Sequence, residues 1–327
     1  MRIVVSDANL ASWRSDLESA LPDGTVVAWP DPTDDVAIGQ ALISADVLVG
    51  PRFTAEMGEA ATNLRLVQVA GAGTDKIDVN ALPHGAKVAN TFHHEDSITE
   101  YVVAATVMLR RGIRQQDAAL RRGEWVTPAH DAAQPWVSGL AGATVGFVGF
   151  GHIGARTWEL FKAFRAHGMT VTRRGEIDAT AQGLEWAGTV DDIDKLLEMS
   201  DVVVVSAPLT PETTGMIGGS ELSRMGPSAV LVNVGRGPLV DQDALYAALR
   251  DGAIGGAAID VWYDYPPAGH TGSPSTQPFH ELSNVLMTPH SSGLTRQTFD
   301  GRVVDVAENI NRLAAGRPLR NVVAVAS

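Results

Sequence analysis

The sequence predicts an α/β protein made of two doubly wound parallel sheets, and three observations carry that prediction. Short apolar runs alternate with helix-patterned stretches along nearly the whole chain. At 327 residues the chain is long for one domain, so two is the natural division. Near mid-chain, after a complete folding unit's worth of sequence, stands Gly149-Phe150-Gly151-His152-Ile153-Gly154, set between an apolar run and an amphipathic stretch.

In the first part, strands are expected over residues 2–6, 25–28, 45–49, 66–69 and 87–89. Helices are expected between them over 10–20, 34–43 and 54–61. A long helical pattern follows over 96–120, with Tyr101, Val102, Ala105, Val107, Met108 and Leu109 in phase and Gly123 as its end. A Pro- and polar-rich connector, 127–139, leads to the apolar run 143–148. The helix after the glycines is read over 155–167 from the spacing of Trp158, Leu160, Phe161 and Phe164. Alternation then resumes, with strands over 170–172, 202–206, 229–232, 257–260 and 285–287. Helices lie over 191–198 and 242–250, the second with Asp241 as N-cap and Gly252 beyond its end. A helix over 296–314 is closed by Gly316 and Pro318. The Pro-, Gly- and Ser-rich stretch 266–278 reads as a long surface loop.

Bulk composition narrows the class. Hydrophobic residues make up 45% and charged residues 19% of the chain, which is ordinary for a globular protein. A formal charge of −13 argues against a general nucleic-acid binder, because a phosphate backbone needs a basic face. No run approaches a membrane span, and no secretory or transit pattern opens the chain. With no cysteine, neither disulfides nor thiolate metal sites can form. A cytoplasmic protein acting on a small molecule, without nucleic acid, membrane or metal, is the expectation.

The glycine motif reads as a dinucleotide cradle. Gly149 permits the tight turn, Gly151 lets the backbone approach a pyrophosphate, and Gly154 lets helix and strand pack closely. The pyrophosphate would rest on the helix N-terminus, where free N–H groups and the helix dipole favour negative charge. Three signals follow in order. The run 232–241 ends a strand in the glycine-flanked Arg236, suited to a two-pronged grip on a carboxylate. The strand around 256–261 finishes on Asp260, for which a helix or turn cap is the plain alternative. His290 follows Pro289 at another strand end and is a candidate proton donor, because histidine titrates near neutrality.

In this order the segments resemble the D-isomer-specific 2-hydroxyacid dehydrogenase family over essentially the whole chain. The matching stretches are the glycine motif, Ser206-Ala207-Pro208-Leu209-Thr210-Pro211-Glu212-Thr213, the Arg236 segment, Ile259-Asp260-Val261 and Thr288-Pro289-His290. Upstream, Gly71-Ala72-Gly73-Thr74-Asp75-Lys76-Ile77-Asp78, Asn90-Thr91 and Glu100 also match. The resemblance implies two Rossmann-like or flavodoxin-like domains with a cleft between them. Residues 1–90 and 292–327 would form a discontinuous substrate-binding domain, and 91–291 the NAD(P)-binding domain. It implies that Arg236, His290 and Asp260 are catalytic, with Arg236 gripping the substrate carboxylate and His290 donating the proton. Ala72 and Gly73 would hold the carboxylate through their loop's N–H groups. Gly149, Gly151, His152, Ile153, Gly154, Pro208, Thr213, Val234 and Asp260 would line the cofactor. A homodimer formed through the cofactor domain is implied as well.

Three departures stand out. Family members carry a glutamate five residues beyond the strand-end aspartate, paired with the histidine; here that position is Tyr265, assigned to the substrate site. Without the carboxylate, His290 loses an opposite charge that would favour its protonated form. Two substitutes are open, Asp264 and Asp260. Second, the strand after the glycine motif ends in Arg173-Arg174 instead of a carboxylate, which suits a 2′-phosphate and favours NADP(H), with NAD(H) the alternative. Third, Phe92-His93-His94-Glu95-Asp96 stands where small residues are usual, and helix capping explains its acids better than a metal does. Arg52 is added as a candidate substrate contact. The reading is an NADPH-preferring reductase of small 2-oxo acids, of the glyoxylate or hydroxypyruvate type. The alternatives are oxidation of a small anion, as by formate or phosphite dehydrogenases, and a non-catalytic NAD(P)-sensing protein.

Overall fold

The computed structural model describes residues 1–267 and 270–326. The chain divides into two compact units, Met1–His94 with Leu294–Ser327, and Glu95–Gly293.

The first unit holds strands β1 (Arg2–Val5), β2 (Val26–Ala28), β3 (Val47–Val49), β4 (Leu66–Gln68) and β5 (Lys87–Ala89), with the last strand of the chain, β13 (Val322–Val325). Their order is β13-β5-β4-β3-β1-β2. Alternate residues face opposite sides of the sheet, as a period of two requires. Val4, Leu48 and Val67 pack with Ile38, Leu42 and Met57 from helices Asp35–Leu42 and Ala55–Ala60. Ile3, Val5, Val47, Val49 and Leu66 pack with Phe299, Val303, Val306 and Ile310 of helix Arg296–Ala314. The helix near the chain's end therefore completes the first unit.

The second unit holds β6 (Thr144–Val148), β7 (His167–Thr172), β8 (Trp186–Thr189), β9 (Val202–Val205), β10 (Val230–Asn233), β11 (Gly256–Ile259) and β12 (Val285–Met287). All pairings are parallel, in the order β12-β11-β10-β9-β6-β7-β8. One face packs on helices Glu95–Arg111 and His152–Ala163 through Ile98, Val102, Ala105, Trp158 and Phe161. The other packs on Ile193–Met199 and Gln242–Arg250 through Leu196, Leu197, Leu245 and Leu249. The strand order reverses between β9 and β6, and a ligand crevice in such sheets lies at the carboxyl ends beside that reversal.

Several sequence expectations are corrected. The pattern over 96–120 forms two helices, Glu95–Arg111 and Ile113–Arg121, because Gly112 adopts a left-handed φ of +59° that no continuous helix allows. The helix after the glycines starts earlier and stops sooner than 155–167. It spans His152–Ala163, and His167 already opens β7. The expected helix 10–20 is a 3-10 turn, Ala8–Trp13, followed by a short helix, Arg14–Ser19. Two edge strands were not read from the sequence. These are β8, which contains Gly188, and β13, which pairs antiparallel with β5, so the first sheet is not wholly parallel. Of the loop expected over 266–278, Ala268 and Gly269 lie outside the described residues. Its later part is tied down where the Tyr263 and Asp264 main-chain N–H groups donate to the Pro274 carbonyl at 3.3 and 3.0 Å. Among the described residues no helix is long and apolar enough to cross a membrane.

Candidate active site

β6 delivers the glycine turn. Gly149 has a φ of +93°, and a Cβ on it would lie 2.8 Å from the Ala207 nitrogen. A Cβ on Gly154 would lie 2.7 Å from the Gly149 carbonyl oxygen, so helix and strand touch through bare backbone. Gly151 differs: a Cβ there would meet nothing within 4 Å. Gly151 is also the N-cap of helix His152–Ala163 and contributes no side-chain cap. The helix's leading N–H groups thus face open space, as binding of a pyrophosphate requires. A dinucleotide fits these residues. His152 is exposed and has its Nδ1 3.3 Å from Glu95, while Ile153 packs into the core.

The neighbouring strand ends complete the edge. After β9, Thr213 Oγ1 accepts the Thr210 N–H at 2.8 Å and donates to the Pro208 carbonyl at 2.9 Å, fixing the 208–213 loop. Arg173 and Arg174, beyond β7, are both exposed, and Arg174 pairs with Glu176 at 3.5 Å. The Glu212 carboxyl is held below its ordinary range, chiefly by the Thr210 hydroxyl and to a smaller extent by the charge of Arg173. After β10, Asn233 is buried and shapes the turn. Its Nδ2 donates to the Arg236 carbonyl at 3.0 Å, and its Oδ1 accepts the Gly235 N–H at 3.1 Å. Val234 is buried, and Arg236 is half-buried with its Nη1 on the Gly235 carbonyl at 2.9 Å. Gly237 must be glycine, since a Cβ would collide with the Trp262 carbonyl.

The histidine is presented by a buried acid. Asp260 has no exposed surface. It accepts the Thr288 hydroxyl at 2.6 Å, the Ser291 and Ser292 N–H groups at 2.9 and 3.1 Å, and the Ser292 hydroxyl. Every one of these donors flanks His290, which is exposed at a left-handed φ of +56°. A non-glycine residue in that conformation costs about 1–2 kcal/mol, which the four bonds to Asp260 offset. Asp260 thereby holds the loop that carries His290. Thr288 also meets the Tyr101 hydroxyl at 2.9 Å, and burial pushes the Tyr101 phenol up to about 12. The Tyr265 hydroxyl itself lies 3.1 Å from His290 Nδ1.

In the first unit, Ala72 and Gly73 are half-buried in the loop after β4, and the Ala72 carbonyl accepts Asn90 Nδ2 at 2.9 Å. The Arg52 guanidinium pairs with Asp35 and donates to the Pro32 carbonyl at 3.3 Å. The acids and histidines of the 93–96 stretch disperse to separate partners. His93 pairs with Asp305 at 2.8 Å, His94 meets Arg302 at 3.2 Å, and Asp96 pairs with Arg156 at 2.6 Å. Among the described residues no group of three or more such side chains is placed to hold a metal ion.

Sequence reading missed Trp262, Thr288, Ser291, Ser292, Asn233 and Tyr101 as parts of the site. Thr288 and the two serines could have been found, because they flank His290 and carry donors at a strand end. Nothing in the sequence links Tyr101 to Thr288.

Residues 103–292 match the model of the D-isomer specific 2-hydroxyacid dehydrogenase NAD binding domain. A glyoxylate reductase of Korarchaeum cryptofilum is 35% identical over 86% of this chain and 82% of its own length. A D-3-phosphoglycerate dehydrogenase of Methanocaldococcus jannaschii is 34% identical over 85% of this chain and 52% of its own length. The chain thus spans about half the length of the phosphoglycerate dehydrogenases it matches. Among solved structures, an acyclic imino acid reductase in complex with NADPH and D-Arg superposes with a TM-score of 0.83 at 26% identity, over 99% of this chain and 100% of that one. A dinucleotide-ready glycine turn, with Arg236 and His290 at the carboxyl ends of the same sheet, agrees with these matches, and the chain belongs to the D-isomer specific 2-hydroxyacid dehydrogenase family.

Proposed function

We propose that this protein reduces a small 2-oxo acid, of the glyoxylate or hydroxypyruvate type, with NADPH as hydride donor. The observation that carries this reading is His290, exposed at the carboxyl edge that also holds the open glycine turn, on a loop locked by the buried Asp260. The nicotinamide cofactor supplies the hydride when bound. Gly149, Gly151, His152, Ile153 and Gly154 would hold its pyrophosphate, with Pro208, Thr213 and Val234 along the neighbouring strand ends. His290 supplies the proton that the carbonyl oxygen gains. Arg236 grips the substrate carboxylate, and its charge favours the negative charge building on the oxygen. In the other unit, Ala72 and Gly73 keep their proposed role toward the carboxylate. Arg52 remains a proposed substrate contact, paired with Asp35 in this structure.

The preference for NADPH rests on Arg173 and Arg174, both exposed beyond β7 with no carboxylate at the strand end to repel a 2′-phosphate. The likeness to an imino acid reductase bound to NADPH adds a second substrate class, a 2-imino acid. A panel of 2-oxo acids, each with and without ammonia, run against NADPH and NADH, tests the reading. Reduced-nicotinamide consumption with a small 2-oxo acid and a clear NADPH preference is expected. Tight cofactor binding without turnover on any member would sink the enzyme reading and leave a nucleotide-sensing protein. We also propose a homodimer through the second unit. Its connector exposes Trp136 at 88% and Trp125 at 60%, apolar side chains that a partner could cover. A monomer in sedimentation would overturn this.

A further inference from the structure

At the amino edge of the second sheet, opposite the glycine turn, a pocket of about 340 Å³ is lined by Val107, Leu140 and Phe164 together with Arg110, Arg111 and Arg165. It lies where helices Glu95–Arg111 and His152–Ala163 end, beside the residues that lead into β6, β7 and β9. Its volume falls in the range of small-molecule sites and equals about eleven waters of liquid volume.

The three cations are held differently. The Arg110 side chain keeps only 6% of its surface exposed. Its guanidinium donates to the Asp201 carbonyl at 3.2 Å and the Gly139 carbonyl at 3.3 Å, with the Asp201 carboxylate 3.4 Å away. Its Nε is buried with no acceptor. Arg110 alone thus ties the segment before β6 to the turn before β9. Arg111 and Arg165 are exposed, and neither guanidinium makes a hydrogen bond or ion pair with any of the described residues. Elsewhere on the surface Arg14, Arg121, Arg156, Arg224 and Arg250 each pair with an acid. Arg165 also has a left-handed φ of +61°, just past a helix end where glycine is the ordinary residue. An arginine stands there against the backbone's preference.

The local charge points to the kind of ligand. Against three guanidinia stand one carboxylate, Asp201, and two helix C-termini, each worth about half a negative charge. The lining is short of about one negative charge, in a chain whose formal charge is −13. A guanidinium matches a carboxylate in a two-pronged pair. A small hydrated anion would leave Val107, Leu140 and Phe164 uncovered, whereas an apolar body would remove them from water. We propose that this pocket binds a monocarboxylate with an apolar body, its charge held by Arg111 and Arg165 and its body by Val107, Leu140 and Phe164. The site stands apart from the proposed reductase chemistry. It is at the far end of helix His152–Ala163, about 18 Å of helix away from the N-terminus that would take the pyrophosphate.

The test is calorimetric titration of the full-length protein at low salt with benzoate. Benzyl alcohol serves as the uncharged counterpart and inorganic phosphate as the charged one without an apolar body. Because Arg236 is itself proposed to grip a carboxylate, the titration is run on Arg236→Gln as well as on the wild type. Benzoate should bind both with a Kd on the order of 1 mM, and about 10-fold more tightly than either control. Replacing Arg111 and Arg165 together by Gln in the Arg236→Gln protein should weaken benzoate by about 10-fold or more. The melting temperature should not change, since both side chains are exposed and hold nothing in the fold. Absence of benzoate binding to Arg236→Gln, equal binding of benzyl alcohol or phosphate, or binding that survives loss of both arginines overturns the inference. None of these readings needs turnover, so failure of the reductase reading leaves this one standing and the reverse holds too.

Discussion

The two units present the same edge of the same kind of sheet, yet the turn after the leading strand is open in one and capped in the other. In the second unit β6 runs into Gly149, and the space above Gly151 at the following helix is empty. In the first unit the corresponding strand, β1, runs into Ser6-Asp7. Asp7 is buried and caps the 3-10 turn that follows with its own carboxylate, accepting the Asn9 N–H at 2.9 Å. After β5 the first unit carries the buried polar groups Asn90 and Thr91, with His94 and the helical Arg302 also buried, where the second unit's strand ends carry exposed ones, Arg173 and His290. A strand followed by a turn and a helix is thus not in itself a nucleotide site. The residues in the turn decide whether the helix N-terminus is capped by the protein or left for an anion.

The contrast can be broken at several points, the largest effect first. His290→Gln should lower turnover about 100- to 10,000-fold while leaving NADPH affinity unchanged, as expected for loss of a proton donor. Retained turnover would remove His290 from the chemistry. Gly151→Asp places a side chain and a negative charge in the open space, and should weaken NADPH binding about 10- to 100-fold with little change in melting temperature. Its counterpart is Gly58→Ala in the first unit, where a Cβ would collide with the Ala81 carbonyl. That change should cost about 1–3 kcal/mol of stability and spare cofactor affinity. If Gly58→Ala and Gly151→Asp behave alike in titration and in melting, the distinction between an open and a packed glycine fails.

Replacing Arg173 and Arg174 together by Ser should cut the NADPH-over-NADH preference about 10- to 100-fold, since bonds to a charged group are worth about 1.5–3 kcal/mol each. Comparison of kcat/KM with the two cofactors reads this directly, and an unchanged ratio would assign the 2′ position to other residues. The smallest effect belongs to Asp7. Burial pushes its carboxyl above the ordinary value, against opposing bonds from Asn9 and the charge of Arg302. A raised carboxyl costs stability above its folded-state value, and the cost vanishes below the ordinary value, where both states are protonated. Asp7→Asn keeps a capping oxygen and should raise the melting temperature near neutral pH. The gain should disappear below about pH 3.9. A gain that persists in acid would mean that the charge of Asp7 is not its cause.

Legibility in the sequence followed the range of the interactions. The glycine motif, the strand-end arginine and the histidine are local patterns, and their order along the chain was enough to place them at successive strand ends. Helix limits were legible where a cap marked them, as Asp241 marks the start of Gln242–Arg250. They were misread where apolar spacing continued through a break, as at Gly112, or where the glycine turn itself supplied the helix start. β8 went unseen because Trp186–Thr189 contains a glycine and little apolar alternation, and the short apolar run Val322–Val325 of β13 was not read as a strand. Asp260 was legible as a residue and not as a role, because the Ser291, Ser292 and Thr288 donors reach it from about thirty residues away.

By itself the sequence determined the class of the fold, the open cradle at Gly149–Gly154 and the identity of the charged groups at the sheet's edge. These depend on residue type and short spacing, which a chain carries unfolded. Only the tertiary structure decided that Arg52 pairs with Asp35, that Asp260 works on a loop, and that a phenol stands against the histidine. Each of those facts is a contact between residues distant in the chain. Direction and partner in a hydrogen bond are fixed only when folding brings the two groups within about 3 Å of each other.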